Sequence, residues 1–164
     1  MTNAAVLSVI LKRGDIVFND AVNHASIIDG CRSTDATVVF YKHSDTASLE
    51  RKLQRYDYER PKIIITDGVF SMDGDVAPLP EILSLAKRYN AMVMIDDAHG
   101  TGVVGATGRG TAEFCGISGH DVDVTVVTFS KALGAVGGAV CGSRSLVKNV
   151  THLSRQFIFA APLP

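Results

Sequence analysis

Lys131 closes the run Val126-Val127-Thr128-Phe129-Ser130-Lys131. A lysine just past an apolar strand is poorly placed for a surface charge, and burial or cationic neighbours can turn such an amine into a nucleophile. Upstream stands Ile95-Asp96-Asp97-Ala98-His99-Gly100, again at the end of an apolar run. A carboxylate in that position can pair with a protonated ring nitrogen. The two together match a Schiff-base lysine and the pyridinium partner of its cofactor.

Other polar residues gather at similar points. Asp67, Ser71 and Asp73 follow the run Lys62–Thr66, Thr128 and Ser130 precede the lysine, and His24 lies in the loop after Ile16-Val17-Phe18. In open α/β sheets ligands bind beyond the carboxyl ends of the strands, so four distant segments are expected to converge on one edge. Plainer readings stand beside these. A strand-end aspartate commonly caps a helix, a lysine can lie along the surface with its ammonium in water, and His99 alone could be a satisfied core histidine. His24, in Asn23-His24-Ala25-Ser26, is on its own only a turn residue. Convergence favours the functional reading for Asp96, His99 and Lys131. His43, His120 and His152 read as surface residues.

Two other chemistries are weaker. Asp73-Gly74-Asp75 and Asp96 to His99 offer carboxylates, but no cysteine or second histidine stands at ligand spacing, so no metal is expected. A metal-dependent hydrolase using those carboxylates and His99 is the corresponding minor alternative. Gly102, Gly105, Gly108 and Gly110 surround Arg109 without the Lys-Ser/Thr pair of a phosphate loop and read as a flexible turn.

The elements that must position these groups are legible from periodicity. Helix-period apolar residues over 2–12 end at Lys12-Arg13-Gly14-Asp15. Strands are expected at 16–18, 37–41, 62–66, 91–95, 122–129 and 138–141, several apolar enough to be covered on both faces. Helices are expected at 25–32, from Asp45 or Thr46 through Tyr56, at 79–89 with Ile82, Leu83, Leu85 and Ala86 on one stripe, and at 143–157 with Leu146, Val147, Val150, Leu153 and Phe157 inward. Buried strands alternating with amphipathic helices predict an α/β fold with a mainly parallel sheet, flanking helices and a possible antiparallel return near Gly137-Gly138. No repeat or linker divides the 164 residues, which read as one domain.

Composition narrows the setting. The chain is 46% hydrophobic and 20% charged with a formal net charge of -1, which gives no reason to expect nucleic acid or an anionic membrane as partner. Cys31, Cys115 and Cys141 are odd in number and far apart, and read as free thiols of a cytoplasmic protein. Met1-Thr2-Asn3-Ala4-Ala5 already reads as helix interior, and Ala161-Pro162-Leu163-Pro164 ends without a polar tail. Both ends read as cuts through a larger protein, with an abruptly bounded compact domain as the alternative.

The segments Asn23-His24-Ala25-Ser26, Thr66 to Asp75, Asp96 to Gly102, Gly108-Arg109-Gly110 and Thr128 to Gly134 resemble the α-oxoamine synthases, pyridoxal-phosphate enzymes within the aspartate-aminotransferase (type I) fold. The resemblance runs over essentially the whole chain. It implies that residues 1–164 form a central part of that fold's large domain. It implies that Lys131 holds pyridoxal 5'-phosphate and moves the α-proton of a bound amino acid, that Asp96 pairs with the ring nitrogen, and that His24 stacks on the ring. His99 and Ser71 would bond near the phenolic oxygen, and Thr128 would lie toward the phosphate. The reaction implied joins an amino acid, alanine or glycine, to an acyl-CoA or acyl carrier protein thioester, giving an α-amino ketone, coenzyme A and carbon dioxide in a homodimer.

The family's chain is more than twice as long. A glycine-rich segment with part of the phosphate cup, and a small domain bearing an arginine for the substrate carboxylate, have no counterpart here. Phe159-Ala160-Ala161-Pro162 carries alanines where relatives often place hydroxyls. Little turnover is therefore expected at this length, and a non-catalytic piece of such an enzyme is the rival reading.

Overall fold

The computed structural model describes residues 1–160; Ala161 and Pro162 of the terminal segment lie outside the described residues. The elements are α1 (Thr2–Ile10), β1 (Ile16–Asp20), α2 (Ala25–Arg32), β2 (Thr37–Tyr41), α3 (Thr46–Leu53), β3 (Lys62–Asp67), α4 (Leu79–Arg88), β4 (Met92–Asp96), α5 (Thr111–Phe114), β5 (Val124–Thr128), β6 (Gly138–Gly142), α6 (Arg144–Leu153) and α7 (Arg155–Ile158). One sheet holds all six strands in the order β2-β1-β3-β4-β5-β6. The first four pairings are parallel. The return after Gly137 is antiparallel, with Thr128 opposite Gly138.

The continuous apolar runs sit in the middle, as their composition requires. Every residue of β3 is buried. Alternate side chains divide between two cores. Ile64, Val93 and Ile95 meet Leu49, Leu53, Ile82 and Leu85 on one face. Ile63, Ile65, Met94, Val124 and Val126 meet Val6, Leu7, Ile27 and Cys31 on the other. Helix starts follow local capping chemistry. The Asp45 carboxylate accepts the Ser48 N–H at 2.7 Å and His24 accepts the Ser26 N–H, each satisfying a first-turn donor.

The order of connections makes the crevice. The chain leaves β1 toward β2 on one side, and leaves β3 toward β4 on the other. The loops after these two neighbours therefore part at the carboxyl edge, which is where an open α/β sheet takes its ligands.

One expected element is different. The helix predicted over 143–157 is broken, because Ser154 is extended (φ -73, ψ 115) between α6 and α7. Of its expected inner stripe only Val150 is buried; Leu153 and Phe157 are each 63% exposed. Among the described residues, no further layer lies over them to draw them in.

Candidate active site

A cavity of about 140 Å³ opens at the carboxyl ends of β3, β4 and β5, beside the segment that follows β1. Its wall includes Asn3, His24, Asp67, Ser71, Asp96, His99, Thr128 and Lys131. All six residues expected from sequence (Lys131, His24, Asp96, His99, Ser71 and Thr128) are thus brought to one place. Met1 and Thr2 join the wall, so α1 presents its amino end there, and no side chain caps that end.

Asp96 is the last residue of β4 and is buried. Its Oδ1 accepts the Ala98 N–H at 3.1 Å and its Oδ2 accepts Asn3 Nδ2 at 2.6 Å. Each oxygen keeps room for another donor. His24 begins α2, with its backbone N–H donating to Asp67 Oδ2 at 2.8 Å across the crevice. Asp67 ends β3 beside Asp96. Burial, and then the charge of Asp96, push the Asp67 carboxyl up to about 7. Burial and the ammonium of Lys131 depress the His99 imidazole, which favours its neutral form. Thr128 and Ser130 pair hydroxyls at 3.0 Å in front of Lys131.

Lys131 departs from expectation in one respect. It is exposed, so the burial thought to make its amine nucleophilic is missing. The segment from Ser130 to Gly137 runs beyond the end of β5, and no described element lies over it. His43 departs the other way. Far from a plain surface residue, it bonds Asp20 Oδ1 through Nδ1 at 2.9 Å and Asp75 Oδ2 through Nε2 at 3.0 Å. It also meets the Phe70 ring edge-on at 4.4 Å. The metal-ligand spacing absent from the sequence is partly restored in space, since ligand atoms of His43, Asp73 and Asp75 lie within 4.8 Å of one another. Both His43 nitrogens are already engaged by carboxylates.

The glycine-rich turn is pinned rather than flexible. Glu113 accepts the Thr107 hydroxyl at 2.6 Å and the N–H groups of Thr107 and Arg109 at 3.0 Å. At its base, buried Asp97 takes the hydroxyls of Thr101 and Thr111. A larger cavity of about 900 Å³ lies toward the other end of the strands, near Met92, Asp123 and Gly142. Its lining holds none of the converging residues. Asn3, Ser26 and Asp67 carry site geometry that motif reading did not assign. Asn3 had one signal: a carboxamide among the apolar positions of α1.

A family model described as aminotransferase class I and II matches residues 2–164. The 8-amino-7-oxononanoate synthase of Thermoanaerobacter pseudethanolicus is 50% identical over 163 residues, covering 99% of this chain and 41% of the relative. Serine palmitoyltransferase from S. paucimobilis, solved with a bound PLP–myriocin aldimine, gives a TM-score of 0.93 at 40% identity, over 99% of this chain and 40% of that one. The 8-amino-7-oxononanoate synthase of Francisella tularensis gives 0.84 at 30% identity, over 99% and 46%. These matches bear out the resemblance to the α-oxoamine synthases and the aspartate-aminotransferase fold. The chain spans about two fifths of the length of the curated relatives it matches.

Proposed function

Because this chain belongs to the aminotransferase class I and II family, we infer that it carries the cofactor-facing, central part of the large domain of a pyridoxal-phosphate-dependent acyltransferase. The reaction is the one named for its relatives at about 50% identity, 8-amino-7-oxononanoate synthesis in the biotin pathway. Glycine C-acetyltransferase is the alternative within the family, and the names of these relatives favour the oxononanoate reading over it. An amino acid gives up its α-proton, its α-carbon bonds to the acyl carbon of a thioester as the thiol of coenzyme A or of an acyl carrier protein leaves, and the carboxyl then departs as carbon dioxide with a proton returned to the α-carbon.

The observation that carries this reading is the single cavity shared by Lys131, Asp96, His24, His99, Ser71 and Thr128. Its donor set suits pyridoxal 5'-phosphate. It offers one amine, one buried carboxylate with lone pairs to spare, two imidazoles and hydroxyls. Among the described residues the buried Asn3 Oδ1 has no hydrogen-bond partner. When bound, the cofactor supplies an electron-withdrawing ring that accepts the electron pair left at the substrate α-carbon. Asp96 would hold the ring nitrogen protonated. Lys131 Nζ would hold the cofactor and, once displaced by the amino acid, take the α-proton. His24 would cover one ring face, while His99 and Ser71 would orient the ring oxygen and Thr128 the phosphate side. The depressed imidazole of His99 suits a hydrogen-bonding rather than a charged role there.

Exposed Met72, beside Ser71, and Leu133, beside Lys131, support a second copy covering the mouth, as in a homodimer. No helix among the described residues is long and apolar enough to cross a membrane, and the three free cysteines suit the cytoplasm. The test is absorbance on adding pyridoxal 5'-phosphate, followed by borohydride and peptide mapping. A visible band that borohydride abolishes, with the adduct on Lys131, is expected. Label scattered over other lysines would overturn the assignment.

A further inference from the structure

Asn3 lies in the first turn of α1 and is buried, yet no motif includes it. Both N–H bonds of its carboxamide are committed. Nδ2 donates to Asp96 Oδ2 at 2.6 Å and to Ser26 Oγ at 2.9 Å. Ser26 Oγ in turn lies 2.8 Å from His24 Nδ1. That ring nitrogen accepts the Ser26 backbone N–H at 3.2 Å, so it presents a lone pair, and the Ser26 hydroxyl points its own proton at it. Donors therefore run outward from Asn3 in two directions, to Asp96 and through Ser26 to His24. A flipped carboxamide would turn Oδ1 against the Asp96 carboxylate, so the orientation of Asn3 is fixed by its partners.

The consequence for Asp96 is geometric. A 2.6 Å bond to a carboxylate is short and charge-assisted. With Oδ1 held by the Ala98 N–H, both oxygens are tied and the carboxylate plane cannot turn. The residues joined this way come from three elements, with Asn3 and Asp96 93 positions apart. Residues of similar size do not replace it. Leucine has the size but no donor, aspartate would set a second charge against Asp96, and glutamine is a methylene too long for a packed first turn.

We propose that Asn3 is a positioning residue that fixes both groups meant for the cofactor ring: the Asp96 carboxylate directly, and the His24 imidazole through Ser26. The proposal rests on the cofactor reading above. It predicts that the effect of Asn3 on binding depends on the ring nitrogen.

The experiment is a binding titration of the full chain with pyridoxal 5'-phosphate and with deazapyridoxal 5'-phosphate, in which C–H replaces the ring nitrogen. The unaltered chain binds the first more tightly. Asn3→Leu weakens pyridoxal phosphate binding by about tenfold or more and the analogue by a smaller factor, the share carried through His24. In an Asp96→Ala background, the extra loss specific to pyridoxal phosphate disappears. Asn3→Ser, which keeps one donor and is smaller, is carried through the same comparison so that a folding defect in the leucine variant cannot decide it. Equal loss of both ligands in these variants overturns the proposal and leaves Asn3 a structural residue. Equal binding of both ligands by the unaltered chain overturns the reading that Asp96 meets a ring nitrogen, and this inference with it.

Discussion

Asp67 and Asp96 stand directly opposite each other at the carboxyl ends of neighbouring parallel strands, and both are buried. Two like charges so placed cannot both be comfortable. Burial and the Asp96 charge raise the Asp67 carboxyl to about 7. The folded chain thus binds a proton there that the unfolded chain gives up near pH 4. Stability from this group is present below that pH and is lost as pH rises through about 7. Asp67→Asn keeps an oxygen for the His24 N–H and removes the charge. It is expected to raise the ligand-free melting temperature above pH 7, by roughly 1–4 kcal/mol in stability, with the difference closing toward pH 4. Denaturation at pH 4, 6 and 8 checks it; a variant less stable than the parent at pH 8 would rule the argument out.

His43 gives the opposite kind of pH signal. Burial pulls its imidazole down, but the hydrogen bond and charge of Asp20, reinforced by Asp75, hold it above the usual range. Besides these two carboxylates it faces Asp73 and the Phe70 ring, and Ser44 donates its hydroxyl to the same Asp75 oxygen. The protonated ring ties the turn carrying Ser71 to the end of β1. Its contribution is present below the ordinary histidine pKa and is lost as pH rises through the raised one. Hydrogen exchange of residues 70–75 is expected to quicken, beyond the intrinsic trend, as pH rises through that raised pKa. His43→Gln should exchange fast throughout. An unchanged protection profile in that variant would count against the tie.

Lys62 shows how a buried cation is tolerated without a carboxylate partner. Its Nζ donates to the carbonyls of Asp57, Tyr58 and Arg60 at 2.7 to 2.8 Å. All three protons are used, and the loop before β3 is closed. Lys62→Met fills the volume and leaves three carbonyls to find water. A loss of about 1–3 kcal/mol is expected by urea denaturation, where each unmade bond carries a desolvation cost. A change under about 0.5 kcal/mol would place the loop's stability elsewhere.

What the sequence could disclose follows from the range of each signal. Residues 62–66 and 91–95 read as strands because burial on both faces leaves an unbroken apolar run, and α2 matched 25–32 because its cap and its periodicity are both local. The convergence of Lys131, Asp96, His99, Ser71 and Thr128 was legible because strand ends in a parallel sheet share one edge, whereas His24 was picked out by the family resemblance. The roles of Asn3 and His43 were not legible, nor was the bond from Asp67 to the His24 N–H, although Asp67 was placed at the right edge. The partners of Asn3, Asp67 and His43 lie 93, 43 and 32 positions away, and nothing local distinguishes Asn3 or His43 from surface polar residues. The break at Ser154 was hidden for a related reason. The stripe from Leu146 to Phe157 has helical period, but Ser154 is buried and extended and α7 turns back against α1, where Ser8 Oγ donates to Gln156 Oε1 at 3.4 Å.

The glycines around Asp97 set the last prediction. The Asp97 carboxylate accepts the Thr111 hydroxyl at 2.5 Å, the Thr111 N–H at 3.2 Å and the Thr101 hydroxyl at 2.7 Å, and so ties the start of the 100–110 turn to its end. Burial raises its carboxyl, and these donors only partly offset that. A Cβ on Gly68, Gly100 or Gly110 would run into Asp97, and on Gly68 or Gly100 into Thr111 Oγ1 as well. Neither neighbour can yield without breaking the knot. Gly100→Ala should therefore cost roughly 2–3 kcal/mol by overpacking, and Gly110→Ala more, because its φ of 89° adds backbone strain. Gly116→Ala shares a positive φ but meets nothing within 4 Å, so it isolates the strain alone and should cost the least. Urea midpoints for the three variants test the order. If Gly100→Ala cost no more than Gly116→Ala, the close approach to Asp97 would not be what excludes a side chain there.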